Sequence, residues 1–351
     1  MCIRDRYISM EFEKLIYPGF NKTFGELECF TLNKSNQLEI IDYFNIDWVR
    51  SAVEEIVKTV DEKIKIEFIE PTTIDIESAS KLVKADLSVE DAKKDFSKGK
   101  RIIGISSGKG GVGKSTISSL LGMAFAKQGK KVGILDADIW GYSIPKMLGA
   151  KFPPIPFNNR IFPSKINDLS VISMEYFVKQ DEAVIWRGPM LHKAIEQFLY
   201  EVLWQDIDIL LIDMPPGTGD VSISLSQFLN FYETIIVTTP QSNATTVAER
   251  AGIMSKKVNS SIIGVIENMS YLENGSKKLY PFGKGGGEEL SKNLGVEFIG
   301  SLPLYDSVSK YSEDGKLLEF GADNDFKVVE EMVNAVNAIA PKKKPIDLKI
   351  N

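Results

Sequence analysis

Residues 101–116 read RIIGISSGKGGVGKST, and the order of residue types in that stretch decides the architecture. The apolar run Ile102-Ile103-Gly104-Ile105 is of the kind that makes a buried strand, and it breaks into a loop with glycines at 108, 110, 111 and 113. Glycine there lets backbone N–H groups turn inward around an anion, with no Cβ to block a phosphate oxygen. Lys114 then supplies a point charge for β- and γ-phosphates, and Ser115 a hydroxyl suited to a phosphate-bridged Mg2+. Ile117, Leu120, Leu121, Ala124 and Phe125 follow at helical spacing, so the loop ends at a helix N-terminus whose dipole also favours negative charge. Every position of G-x-x-x-x-G-K-[ST] is filled. The expected phosphate-binding residues are therefore Gly108, Lys109, Gly110, Gly111, Val112, Gly113, Lys114, Ser115 and Thr116.

Outward from this loop the chain reads as alternating strands and helices. The buried strand at 131–135 ends in Asp136-Ala137-Asp138, and the run at 207–212 ends in Asp213. Carboxylates at the C-terminal ends of parallel strands beside a phosphate loop sit where open α/β sheets place ligands. Asp213 reads as a Mg2+ carboxylate, and the two prolines and two glycines that follow it suit a switch loop. Five prolines between 145 and 163 predict a loop-rich excursion. A helix follows within 185–204, on which the lone His192 reads as structural. Strands are expected at 234–239 and 262–267 around a helix at 244–257, then a hairpin at Asn274-Gly275, a strand at 298–302 and a last helix at 326–340.

At 351 residues, 43% apolar and 26% charged, the composition is that of an ordinary globular protein. A net charge of -6 argues against a general nucleic-acid binder, and no apolar run reaches the length of a membrane span, so a cytoplasmic protein is expected. Cys2 and Cys29 are the only cysteines and His192 the only histidine, too few for a Cys/His zinc site in one chain. The opening MCIRDRYIS (1–9) reads as foreign to the rest, with Met10 as the start. Residues 10–70 pattern as a small α+β domain with Asp47 capping a helix, 71–100 as a polar linker with one short helix begun by Ser88-Val-Glu-Asp91, 101–340 as the nucleotide-binding domain, and 341–351 as a polar tail.

Lys109 narrows the class. A second lysine beside Lys114 is costly unless an anion lies between them, and the loop KGGVGKS resembles the deviant phosphate loop of the MinD, ParA and nitrogenase-iron-protein ATPases. From 101 to 340, through IWRGPMLHKAIEQFLYEVLW at 185–204 and ENMSY at 267–271, the chain resembles the Mrp/ApbC iron-sulfur cluster carrier ATPases. The resemblance implies an α/β P-loop NTPase with a mostly parallel sheet covered by helices, preceded by a small α+β domain. It implies Mg2+-dependent ATP hydrolysis, with Lys109, Lys114 and Asp138 catalytic: Lys109 acting across a homodimer and Asp138 on the attacking water. Ser115, Asp136 and Asp213 would serve the metal. Asn268 would meet the adenine and Pro303 begin the loop over it, and with no N-K-x-D signature ATP is expected rather than GTP.

The resemblance also implies a bridging iron-sulfur cluster and iron-sulfur client or assembly proteins as partners. Here it breaks, because 272–280 read LENGSKKLY where relatives carry C-x-x-C, and thiolates are the ligands such clusters require. Two functions stand side by side: an ATPase of iron-sulfur protein assembly, and a ParA/MinD-like dimerisation switch that positions a cargo. The short, proline-interrupted KKKPIDLKIN gives no amphipathic membrane anchor.

Overall fold

The computed structural model describes residues 9–20, 22–33, 37–139, 141–177, 188–204, 207–216, 220–229, 231–241, 249–250, 260–274 and 277–341. Residues 1–8 of the foreign-looking start, 217–219 of the expected switch loop, most of the expected helix at 244–257, the Gly275 turn and the final KKKPIDLKIN lie outside them. The chain divides into two compact units. One comprises 1–93, 152–164 and 201–205, and the other 94–151, 165–200 and 206–351.

The larger unit is built on an eight-stranded sheet. Its order is Ser164–Ile166, Leu169–Ser173, Val132–Asp136, Ile209–Asp213, Arg101–Ser107, Tyr232–Thr238, Ser260–Glu267 and Glu297–Ser301. From Leu169–Ser173 to the far edge every pairing is parallel. The central strands are buried throughout, which explains why they read as continuous apolar runs rather than alternating ones. Alternate residues of Tyr232–Thr238 serve different cores: Ile235 and Val237 pack with the helices Lys114–Lys127 and Lys327–Ala338, and Ile236 with Leu290 and Leu294 of Gly286–Leu294. Helices thus cover both faces. At the opposite edge from the phosphate loop, Arg101 Nε donates to Glu233 at 2.6 Å. Its Nη1 and Nη2 donate to the Val336 and Ile339 carbonyls, closing the C-terminal end of the last helix with a cation.

The smaller unit has a three-stranded sheet, Phe30–Leu32 antiparallel to Gln37–Ile41, itself parallel to Lys65–Ile69. Helix Asp47–Lys58 buries Val49, Val53 and Val57. Asp47, expected as its cap, is instead its first residue. Ile46 occupies the cap with no side-chain bond, and the Asp47 charge faces the positive end of the dipole.

The expected linker folds further than its charge suggested. Thr72 and Asp75 form a capping box for helix Thr73–Leu82, Ser88 accepts from the Asp91 amide at 3.1 Å ahead of helix Val89–Asp95, and Ala79, Val83 and Ala85 join the core of the smaller unit. The proline-rich stretch is also more regular than expected. Pro145 sits in the first turn of Ile144–Leu148, where its missing N–H costs nothing, and Pro156 lies on the hairpin Ile155–Phe157/Arg160–Phe162. Asn158 and Asn159, both at positive φ, turn that hairpin. Its Phe157 and Phe162 pack edge-on against Phe20 at 5.0 and 5.3 Å, inside the aromatic core of the smaller unit.

Candidate nucleotide site

The parallel register sets the chemistry. Asp213 lies opposite Ile105 on one side and Asp136 on the other, so both carboxylates emerge at the edge where strand Arg101–Ser107 opens into the phosphate loop. Gly111 and Gly113 adopt φ of 77° and 79°, a left-handed backbone open to glycine, and Gly113 is the cap of helix Lys114–Lys127. The loop, with Asp138, Gly141, Ser143 and Pro216, lines a cleft of about 360 Å³. Every phosphate-loop residue from Lys109 to Thr116 lines this cleft, and Gly108 precedes it as the half-buried residue after the strand.

Lys114 is only 6% exposed, and its ammonium lies 2.9 Å from Asp213 Oδ1 and 3.4 Å from Asp138 Oδ2. Ser115 Oγ donates to the other Asp213 oxygen at 2.5 Å, and Ser118 Oγ to the first at 3.0 Å. Burial alone lowers the Lys114 pKa, but the charge and hydrogen bond of Asp213, with Asp138 and Asp136 behind, overcome it and raise it. For Asp213 burial pushes upward, against the Lys114 charge and the bonds from Ser115, Lys114 and Ser118. An ammonium at contact and two hydroxyl donors face the Asp213 carboxylate, but burial outweighs them and leaves its pKa above the ordinary carboxylate value.

Asp136 behaves differently. Its Oδ2 accepts from the Ser143 and Ile144 amides at 3.2 and 3.3 Å and from Ser173 Oγ at 3.1 Å, and its Oδ1 accepts from the Asp138 amide at 3.4 Å. These are neutral donors. Burial, then the charge of Asp213, push its carboxyl up to about 7 despite them. Asp136, expected nearer the metal, here accepts bonds from the segment that carries Asp138 and does not line the cleft. The Asp138 carboxylate faces the cleft, one oxygen toward Lys114 and the other accepting from the Gly141 amide at 3.2 Å.

Lys109 Nζ donates to Gln241 Oε1 of its own chain at 3.2 Å. Asn268 is buried under the loop, its Nδ2 donating to the Val112 carbonyl at 2.8 Å, while Pro303 is buried just beyond strand Glu297–Ser301. Neither Asn268 nor Pro303 lines the phosphate cleft itself. His192 packs between helices, with Nδ1 3.0 Å from Ser224 Oγ and its ring 4.4 Å from that of Phe228, as a structural histidine does.

Ser118, Ser173 and Gln241 are residues that the motif alone did not single out. Ser118 was within reach, since it lies four residues after Lys114 on one helix face. Ser173 and Gln241 come from distant strand ends, and no local spacing marks them.

Mg2+ binding asks for hard oxygen ligands completed by phosphate and water. Ser115 Oγ and the Asp213 carboxylate fit that requirement, and among the described residues no group of three or more His, Cys, Asp or Glu side chains forms an all-protein metal cage. An iron-sulfur cluster does not fit in the same way. Cys29 is wholly buried in the aromatic core of the smaller unit, its Sγ 3.7 Å from the Phe24 carbonyl and its thiol pushed up to about 12 by burial. The antiparallel strands Leu272–Asn274 and Lys277–Leu279 occupy the position where a cysteine pair was absent from the sequence. No helix among the described residues is long and apolar enough to cross a membrane.

Residues 98–340 match the ParA family described as NUBPL iron-transfer P-loop NTPases. The iron-sulfur cluster carrier protein of Mycobacterium leprae is 41% identical over 252 residues, covering 70% of this chain and 65% of that one. The carrier protein of Bacillus subtilis is 44% identical over 204 residues, covering 58% of each. The matched segment thus spans 58–65% of the length of these two curated relatives. Among solved structures, a nucleotide-binding protein of Archaeoglobus fulgidus in complex with ADP superposes with a TM-score of 0.59 at 35% identity, covering 68% of this chain and 96% of that one.

Proposed function

Because the chain belongs to the ParA family of NUBPL-type iron-transfer P-loop NTPases, we propose that it binds and hydrolyses MgATP in support of iron-sulfur protein assembly. The observation that carries this reading is the convergence, at one sheet edge, of a phosphate loop, a buried Lys114, the Ser115/Asp213 pair and a cleft-facing Asp138. Loop amides and Lys114 hold the β- and γ-phosphates. Ser115 and Asp213 would hold Mg2+, which would supply charge neutralisation to the phosphates. Asp138 orients the attacking water and takes up its proton, and the bond from Gly141 fixes the carboxylate for that purpose. Lys109, within reach of Gln241 at the cleft mouth, acts across an ATP-linked homodimer.

The cargo is iron-sulfur in class, and the residues present argue for assisting transfer rather than holding a cluster on a family cysteine pair. No cysteine stands at 268–287, and Cys29 offers a buried, protonated thiol where a thiolate is required. The ParA/MinD-like positioning role gains no observation of its own.

The test combines two measurements on the full chain. Phosphate release should require Mg2+ and fall below detection in Lys114→Ala, and reactivation of an apo iron-sulfur client by iron, sulfide and a scaffold should accelerate when the chain and ATP are present together. ATP turnover without any effect on client reactivation would refute the assembly role, and no Mg2+-dependent turnover would refute the ATPase.

A further inference from the structure

Strand Ser260–Glu267 ends at the sheet edge that carries the phosphate loop, and its last residue is a buried carboxylate that the mechanism above does not use. Glu267 is 2% exposed. Its Oε2 accepts from the Gly287 amide at 2.7 Å and its Oε1 from the Ser270 hydroxyl, while its carbonyl accepts from the Leu302 amide at 2.8 Å. Burying a carboxylate on neutral donors is expensive, so the position asks for a reason beyond filling space.

The reason lies in the next three residues. Asn268 donates its backbone N–H to the Thr238 carbonyl and its Nδ2 to the Val112 carbonyl of the phosphate loop, both at 2.8 Å. Met269 then takes φ of 54°, the left-handed region, with no side-chain group to compensate. Ser270 returns to the sheet edge by donating its backbone N–H to the Leu302 carbonyl at 3.0 Å. Glu267 holds Ser270, on the far side of the strained residue, and the first turn of helix Gly286–Leu294 at the same time.

The clearances are tight at both ends of this relay. A Cβ at Gly287 would lie 2.7 Å from Glu267 Cβ, and one at Gly113 would lie 2.1 Å from Asn268 Nδ2. The bend therefore presses one face of the Asn268 amide onto the phosphate loop. The rest of that amide, with a second N–H and a carbonyl oxygen, is the part capable of reading a base edge.

We propose that Glu267 is a positioning residue for nucleobase selectivity: by holding the Met269 bend closed it aims the Asn268 amide, and so governs the base-dependent part of nucleotide affinity but not the triphosphate-dependent part. This rests on the ATP reading given above. The experiment is calorimetric titration of ATP, GTP and inorganic tripolyphosphate, each with Mg2+, into the full-length wild type and the variants Glu267→Ala, Glu267→Gln and Ser270→Ala.

Wild type should prefer ATP to GTP. Glu267→Ala should lose ATP affinity by about tenfold, the size of one net hydrogen bond, while tripolyphosphate affinity stays within about twofold and the ATP-to-GTP ratio falls toward one. Glu267→Gln keeps an oxygen for Gly287 and an amide able to donate to Ser270, so it should retain most of the wild-type ratio. Ser270→Ala, which disturbs the core least, should lower the ratio without changing tripolyphosphate binding, and carries the test if Glu267→Ala does not fold. Equal losses for all three ligands, or a ratio unchanged in both Glu267→Ala and Ser270→Ala, would overturn the proposal. A wild type that binds tripolyphosphate but shows no preference for ATP would overturn the ATP reading and this inference with it.

Discussion

Replacing Lys114 by methionine should do more than weaken nucleotide binding: it should destabilise the protein without any added ligand, and by an amount that grows with pH. Methionine keeps much of the aliphatic stem and removes only the ammonium, so packing changes little. What is lost is the cation 2.9 Å from the fully buried Asp213 and 3.4 Å from Asp138. Removing one partner of a buried pair costs about 3–5 kcal/mol, because the other charge stays behind without its partner. For a unit of this size roughly 2–4 °C of melting temperature accompanies each kcal/mol, so a fall of roughly 6–20 °C is expected.

The pH dependence follows from the escape route. Without Lys114, Asp213 relieves its burial by taking a proton, which raises its folded pKa further above the ordinary carboxylate value of about 4. The folded state then binds more protons than the unfolded chain between that value and the raised one, and stability falls as pH rises through the window. The gap between wild type and Lys114→Met should therefore be wider at pH 8 than at pH 6. Scanning calorimetry in EDTA, resolving the transition of the larger unit, measures it. The double variant Lys114→Met/Asp213→Asn should recover at least half of the loss, since it removes the stranded charge. A gap independent of pH, or one that the second substitution fails to narrow, would refute the argument that a stranded carboxylate causes it.

Asp138→Asn should bind ATP within about threefold of wild type yet hydrolyse it 10²–10⁴-fold more slowly, roughly the value of a positioned base, and phosphate release equal to wild type would remove Asp138 from the reaction. Asp136 holds its proton up to about 7 when folded, against about 4 when unfolded, so wild-type stability should decline as pH rises from about 4 to 7. In Asp136→Asn, whose single amide oxygen, placed where Oδ2 now lies, still accepts from the Ser143 and Ile144 amides, that slope should flatten; an unchanged slope in calorimetric scans would place the proton elsewhere. Cys29, buried and with its thiol pushed up to about 12, should resist an aromatic disulfide reagent in a Cys2→Ser background until denaturant is added, and prompt stoichiometric reaction of the native protein would show that the thiol is accessible.

The phosphate-loop strand, its helix and the Asp213 strand were legible because each is written locally: glycine spacing, a lysine-serine pair and apolar runs constrain a few neighbouring residues at a time. Parallel pairing then made their meeting predictable, since a carboxylate closing one central strand must come out beside the loop that closes the next. The same local logic failed where function depends on which distant ends meet. Asp213 and Asp136 look alike in sequence, each an aspartate ending a buried strand, yet the first faces an ammonium and two serine hydroxyls while the second faces three backbone amides and Ser173, thirty-seven residues away. Proline count misled for a related reason, because what matters is whether the lost N–H was needed, and at Pro145 it was not. Glu267 shows the limit most clearly. In ENMSY it reads as one more polar residue at a strand end, and only the arrival of Gly287 twenty residues later, on a helix start with no room for a Cβ, turns it into the brace of a strained bend beside the nucleotide loop.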